Sequence, residues 1–306
     1  MLTVLIASRN GEAVLPRTLA ALCAQTLPFD QWKVVVADNG STDGTAEVME
    51  SFARRLPLSS VYEASPGKNR ALNKALALAE GDLLVFSDDD VVTPKQWLSA
   101  FRLTADRNTD FSIFGGPIAP LWPKEPGEWI LQSIPVGAAF GVTPDPVGEG
   151  ESPVGHIWGT NMMVRSAALA TYGALPENVG PSSGSYAMGS ESAFLCALAR
   201  EGHRSYFINE CEVGHIIRAN QLTSEWLQSR AERFGRGVAR LGFDCEKMDS
   251  SLLGYPRWAI AQAAKAWLRS RAAIDGSERL KALWDFRYYL GYAKESRSCL
   301  KSASAS

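Results

Sequence analysis

Histidine and cysteine are scarce, at 3 and 5 of 306 residues, and that scarcity removes several classes at once. Cys23, Cys196, Cys211, Cys245 and Cys299 form no CxxC pair, which excludes a zinc ribbon and a disulfide ladder. An odd, scattered set reads as reduced thiols in a cytosolic protein. No run of roughly 18 apolar residues occurs, so no transmembrane helix is expected. The N-terminus, MLTVLIASRN, has neither the basic leader nor the apolar length of a signal peptide. Excess positive charge is missing too. A net charge of −2 argues against a general nucleic-acid binder, which needs a basic face for phosphate. Neither G-x-G-x-x-G after the first strand nor G-x-x-x-x-G-K-[ST] is present, so the dehydrogenase and P-loop phosphate cradles are excluded.

What is present is globular composition with 46% hydrophobic residues, enough to bury a core. Its charge is unevenly spread. Residues 216–306 carry 16 Lys and Arg against 9 Asp and Glu, a net of +7; residues 1–215 carry 15 against 24, a net of −9. An acidic front and a basic, Trp-containing tail suggest two jobs on one chain.

The first 115 residues alternate strand and helix signals. Apolar runs at 2–7, 32–37, 60–63 and 83–87 are separated by helical periodicity at 13–25, 45–55 and 66–79. That alternation predicts βαβ units and a mostly parallel sheet, an α/β fold. Ligands sit at the carboxyl ends of such strands, where Ser8–Gly11, Asp38–Gly44 and Asp88–Asp90 all fall. Residues 115–190 are rich in Gly and Pro; within a loop at 143–154, PDPVGEGES reads as a mobile lid beside a ligand site. Further helices are expected at 193–201, 223–241 and, as one or two amphipathic segments, 256–294; a strand is expected at 205–208 and a polar tail at 301–306.

Asp88-Asp89-Asp90 directly after an apolar strand is electrostatically costly. A divalent cation would resolve the repulsion, and hard oxygen ligands suit Mg²⁺ or Mn²⁺. Such an ion can neutralise charge on a departing diphosphate. A solvated turn of helix-capping aspartates is the alternative. Asp38, at the end of VVVADNGSTDGT, could accept from a ribose hydroxyl or a base N–H, or could close an Asx-turn.

VLIASRN, VVVADNGSTDGT, PGKNRALNKALALAEGDLLVFSDDD and GTNMMVRSAAL together resemble the family 2 glycosyltransferases with the GT-A fold. The resemblance runs from Leu2 to about Gly237, with four motifs in order. It implies a GT-A catalytic domain over 1–240, its nucleotide-binding half at 1–115 and its acceptor-binding half at 116–240. A helical C-terminal extension at 241–306 with a disordered tail would follow. It also implies inverting transfer of a sugar from a nucleotide diphosphate, by default a UDP-sugar, with Mn²⁺ or Mg²⁺. Ser8 and Arg9 would then line the nucleotide pocket, with Asp38 at the base. Lys68, Arg70 and Asn73 would face the nucleotide or its phosphates. Asp88 would face ribose or metal, Asp89 the donor sugar unless structural, and Asp90 would ligate the metal.

The acidic motif departs from the family pattern. Where relatives carry Glu-Asp before a helix, this chain has Ser190-Glu191, so Glu191 falls at the position of the catalytic base. The alternative is an acid that favours a helix N-terminus. His215 could complete the metal site or be a buried structural histidine. Arg218, and Arg233 within the series Arg230, Arg233 and Arg236, would meet the diphosphate, or form a solvated or membrane-facing basic surface. His156 and His203 read as structural.

For the acceptor, a glycan or lipid-linked hydroxyl, the residues say little. Trp122, Trp129, Phe140 and Trp158 could stack on sugar or lie in the core. The basic tail mixes Trp, Tyr, Leu and Arg as an interfacial helix would, which suits a cytoplasmic protein at the inner membrane face; packing on the catalytic domain or a second subunit is equally open. Cell-surface polysaccharide assembly is the family-level expectation. A nucleotidyltransferase would want a Gly-rich basic loop after the first strand, and SRNGEAVLP is a poor one. A non-catalytic nucleotide-sugar module would explain Ser190 and Ala193.

Overall fold

The computed structural model describes residues 1–177, 179–181, 186–242 and 251–303. Its strands are β1 (Leu2–Ser8), β2 (Trp32–Asp38), β3 (Leu58–Tyr62), β4 (Leu83–Asp88), β5 (Val91–Val92), β6 (Phe111–Gly115), β7 (Ile118–Leu121), β8 (Gly150–Glu151), β9 (Asn161–Arg165), β10 (Arg204–Phe207), β11 (Val213–Ile216), β12 (Ser251–Leu252) and β13 (Tyr255–Pro256). Its helices are α1 (Leu15–Cys23), α2 (Thr45–Ala53), α3 (Lys68–Leu76), α4 (Trp97–Arg107), α5 (Glu128–Leu131), α6 (Val136–Phe140), α7 (Ser166–Tyr172), α8 (Ser190–Arg200), α9 (Ser224–Leu241), α10 (Arg257–Ala272) and α11 (Gly276–Ala303). They form two compact units. One comprises Met1–Leu121, Gly141–Asn178 and Ser190–Ile216; the other comprises Trp122–Phe140, Val179–Gly189 and Ile217–Ser306.

The first unit is built on an eight-stranded sheet in the order β3-β2-β1-β4-β9-β6-β10-β8. β1, β2, β3 and β4 run parallel, β9 is antiparallel to both β4 and β6, and β10 is parallel to β6. The apolar runs of β1, β2 and β4 are almost wholly buried, as expected for strands covered on both faces. In register, Ser8 lies opposite Asp38 and Ala7 opposite Asp88. The polar clusters at these strand ends therefore share one edge, as the alternation of strands and helices predicts.

A second, three-stranded sheet, β5-β11-β7, lies within this unit. Asn161 fixes the start of β9 nearby. Fully buried, it accepts from Trp97 Nε1 at 2.9 Å and donates to the carbonyls of Pro117 and Cys211 at 3.0 and 2.7 Å. An amide this deep is tolerated because both ends have partners.

The loop read as a lid is anchored at its C-terminal end. Glu151 pairs with Arg204 at 2.7 Å, β8 joins the edge of the large sheet, and Ser152 N donates to Ser205 O at 3.1 Å. The stretch PDPVGEGES, expected to be mobile, thus includes near its end a residue, Glu151, that is held in a strand pairing.

In the second unit α9 and α11 pack so closely that side chains are excluded at the crossing. A Cβ at Gly235 would fall 2.0 Å from Tyr288 O, and one at Gly291 would fall 2.1 Å from Glu232 O. Beside this crossing Glu295 is fully buried and accepts from Arg236 Nε at 2.8 Å and from Arg240. Removing both cations would strand a buried charge. Residues 136–140 form α6, and 256–294 resolves into two helices, the second continuing to Ala303. Residues 304–306 of the expected tail, and Cys245, lie outside the described residues.

Candidate active site

Three side chains distant in sequence meet at the strand ends of the first unit. Lys68 opens α3 directly after Gly67, whose φ of +153° suits a residue without a Cβ. Its Nζ lies 2.6 Å from Asp88 Oδ1 at the end of β4 and 2.9 Å from Glu191 Oε1 in the first turn of α8. Side-chain exposures of 16, 20 and 27% show that little water shares the contact.

The charges decide one another's protonation. Burial pushes both carboxyls up, but the Lys68 ammonium outweighs it and holds them below the usual carboxylate range. Burial pulls Lys68 down, yet the two carboxylates leave it above the ordinary lysine value. All three are charged at neutral pH. Thr160 donates to Asp88 Oδ2 at 2.8 Å, and Ser190 Oγ lies 2.9 Å from Glu191 Oε2.

Room for Glu191 comes from Gly159, where a Cβ would fall 2.2 Å from Glu191 Cγ. Gly159 and Thr160 lie in GTNMMVRSAAL, yet nothing in the sequence assigns them to this carboxylate pair. Their signal is the small residue and the hydroxyl immediately before a buried strand.

Asp90 and His215 form a second pair. β5 runs antiparallel to β11, His215 lies opposite Val91, and Ile216 N donates to Asp90 O at 2.8 Å. This places His215 Nε2 3.3 Å from Asp90 Oδ1, both side chains being little exposed. Among the described residues no group of three or more His, Cys, Asp and Glu is arranged to hold a metal. The donor set still fits Mn²⁺ or Mg²⁺, because such ions take one or two protein ligands and fill their shell with phosphate oxygens and water. Asp88, Asp89, Asp90 and Glu191 also leave carboxylate charge in excess of the single ammonium of Lys68, which favours a cation.

Asp89 accepts from Ser8 Oγ at 2.5 Å, so the two strand ends are bonded across the sheet. Asp38 is buried and its Oδ1 accepts from Ser41 N at 2.9 Å, an Asx-turn arrangement. Arg9 is exposed at the end of β1. Asn39, to which the motif VVVADNGSTDGT assigns no role, clamps the loop before α3 through its amide, bonding Ser65 O and Gly67 N at 2.8 Å each. Arg70 pairs with Glu177 at 3.0 Å, although its Nε is buried without a partner. Asn73 exchanges two hydrogen bonds with the Leu175 backbone, each 2.9 Å.

The remaining sequence candidates lie in the second unit. Arg218 precedes a short 3-10 turn at Ala219–Leu222. Arg233, on α9, lies over the rings of Tyr186 and Trp226 at 5.3 and 6.0 Å, its Nε buried without a hydrogen-bond partner. Arg230 donates to Ala138 O at 3.1 Å and Arg236 serves Glu295, so the three arginines do not act as one solvated stripe. Trp122, Phe140 and Trp226 form a ring cluster, with Phe140 and Trp226 stacked at 6.3 Å.

The model of glycosyl transferase family 2 matches residues 3–173. Validoxylamine A glucosyltransferase of Streptomyces hygroscopicus subsp. jinggangensis (strain 5008) is 36% identical over 102 residues, 33% of this chain and 24% of that protein. The match thus spans about a quarter of that curated relative's length. Among solved structures, TarS 1-349 of S. aureus in complex with UDP-GlcNAc aligns with a TM-score of 0.59 at 16% identity, covering 98% of this chain and 92% of that one. The mannosyltransferase PcManGT from Pyrobaculum calidifontis, in complex with GDP-Man and Mn²⁺, aligns with a TM-score of 0.55 at 20% identity, covering 100% and 75%. At these identities the likeness is one of fold, and the fold is the GT-A α/β fold that the sequence motifs imply.

Proposed function

The chain belongs to glycosyl transferase family 2, and we propose that it transfers a sugar from a nucleotide diphosphate, a UDP-sugar, to the hydroxyl of a glycan or lipid-linked acceptor with inversion. The observation that carries this reading is the meeting of Lys68, Asp88 and Glu191 beside Asp90 and His215, at the carboxyl ends of parallel strands. Ser8, Arg9 and Asp38 bind the nucleoside end of the donor.

Asp90 and His215 would hold Mn²⁺ or Mg²⁺, which when bound neutralises charge on the departing diphosphate. Glu191 accepts the acceptor's proton at a carboxylate oxygen. The acceptor oxygen forms its bond to the anomeric carbon from the opposite face, the bond to the diphosphate breaks, and the electron pair leaves with the nucleotide. Lys68 links the two halves of this chemistry. Donor phosphates compete with the carboxylates for its ammonium, and loosening the Lys68–Glu191 contact makes Glu191 a stronger base.

Calorimetry with UDP, with and without Mn²⁺, tests the donor site. Wild type is expected to bind more tightly with Mn²⁺, and Asp90→Ala to lose roughly tenfold or more of that affinity. Tight binding of another nucleoside diphosphate would keep the transferase and change the donor. No nucleotide binding with any metal would remove the mechanism.

We further propose that α10 meets an anionic membrane surface. It carries Arg257, Lys265, Arg269 and Arg271 and no acid. Trp258, Trp267 and Leu268 on it, and Ile274 just beyond, are 45, 48, 60 and 97% exposed. Basic charge beside exposed Trp and Leu is the pattern of interfacial helices. Among the described residues no helix is long and apolar enough to cross a membrane. The chain is expected to pellet with phosphatidylglycerol vesicles at low salt and to be released by added salt or by Trp267→Ser with Leu268→Ser. Failure to pellet at low salt would leave α10 without this role.

A further inference from the structure

The second unit contains a cavity of about 380 Å³ formed by α9, α11 and the segment joining α5 to α6. Small-molecule sites are of roughly 300–1,000 Å³, so it is large enough for a ligand. Lys281, Trp284, Asp285 and Tyr288 all line it, and their spacing places them on one face of α11. A helix face turned to a hydrophobic core would carry aliphatic residues at these positions. This one alternates rings with an ammonium and a carboxylate, and beside its packing on Phe234 of α9 it borders the cavity.

The ring positions are held. Phe234 lies 5.6 Å from Tyr288 by ring centroid, and Tyr289, also in the lining, is 5.2 Å from Tyr288 and 6.1 Å from Trp258. Trp284 is nearly buried. The polar side chains of the lining include Lys281, Asp285 and Gln132, together with Ser133, Tyr288 and Tyr289. Asp285 is the informative one. Burial pushes its carboxyl up in spite of Arg269 at 3.3 Å and the neighbouring Lys281. Its Oδ2 accepts from Arg269 Nη2 at 3.3 Å, and ligand hydroxyls would add donors to this half-buried carboxylate.

We propose that this cavity is a saccharide-binding site, taking one or two pyranose units of a glycan. The lining selects that chemistry. The Asp285 carboxylate in the lining disfavours a phosphate or other anion. Its charged and amide groups would be desolvated by an acyl chain without return. A pyranose presents C–H faces to rings and hydroxyls that both donate and accept, matching Asp285 as acceptor and Lys281 and Gln132 as donors. The site goes beyond the donor-binding reading and does not need it: its residues are separate from those assigned to donor, metal and base.

The test is binding of cellobiose, maltose and N,N′-diacetylchitobiose to the full chain, followed by saturation-transfer NMR and calorimetry. At least one is expected to bind with Kd on the order of 1 mM. Asp285→Asn, which preserves shape, should weaken it roughly tenfold or more, the loss expected for a hydrogen bond to a charged group. Lys281→Ala should weaken it less, while UDP affinity measured on the same samples stays unchanged and reports that the variants are folded. No binding by any of the three sugars, or binding that Asp285→Asn leaves intact, overturns the proposal. Loss of UDP binding in wild type would instead count against the donor site and leave this inference standing.

Discussion

Glu191→Gln is expected to lower kcat by roughly 10²–10⁴-fold, the usual contribution of a positioned general base. The argument rests on shape as much as on charge. Glutamine fills the same volume beside Gly159, where a Cβ would fall 2.2 Å from Glu191 Cγ, so packing at this point is preserved. It also keeps an acceptor oxygen for Lys68 Nζ, now 2.9 Å from Oε1, and only the ability to take a proton disappears. KM for the donor should fall modestly, because a neutral amide competes less than a carboxylate with the donor phosphates for Lys68. A variant that retains most of its turnover would move the base elsewhere. One that loses donor affinity in step with kcat would make Glu191 a binding group. The acidity of Glu191 sharpens the expectation: with Lys68 beside it the carboxylate is charged at neutral pH but weakly basic, so its strength as a base depends on what happens to that contact.

The strand ends were readable because the parallel sheet is written in uninterrupted apolar runs, each closed by a polar cluster. Register then brings Ser8 opposite Asp38 and Ala7 opposite Asp88 without further information. Glu191 was legible as a helix-start acid, although α8 begins at Ser190, three residues before the periodicity suggests. The contacts among these residues were not legible. Lys68 and Glu191 are 123 positions apart, and either could equally be a solvated helix charge. β5 and β11 share only two paired positions, too few to leave a periodic trace, yet that pairing brings Asp90 to His215. Asn39 and Asn73 look like turn and helix residues, and only the folded backbone reveals their amides as clamps on neighbouring loops. What the sequence hides here is long-range side-chain partnership, since a short motif names its chemistry but not the residue that answers it.

Lys68→Met should produce the largest stability loss of any single change at the site, about 3–5 kcal/mol at neutral pH, as found when one member of a buried ion network is removed. Methionine keeps the length of the stem but leaves Asp88 and Glu191 facing each other with no cation between them. The pH dependence gives the loss a signature. In wild type both carboxyls lie below the ordinary range, so their contribution is complete above the unfolded value near pH 4 and fades only as pH falls through the lowered folded values. Without Lys68, burial and mutual repulsion raise both carboxyls above their unfolded values. The folded variant then binds more protons than its unfolded chain, and its penalty grows as pH rises. Urea unfolding should therefore show a wide gap between wild type and variant at neutral pH that narrows near pH 5. An equal gap at both pH values would mean that Lys68 contributes packing alone. Where Lys68→Met fails to fold at neutral pH, the double variant Lys68→Met with Glu191→Gln decides the matter. Removing one of the two stranded charges should restore part of the loss, a coupling that independent contributions would not produce.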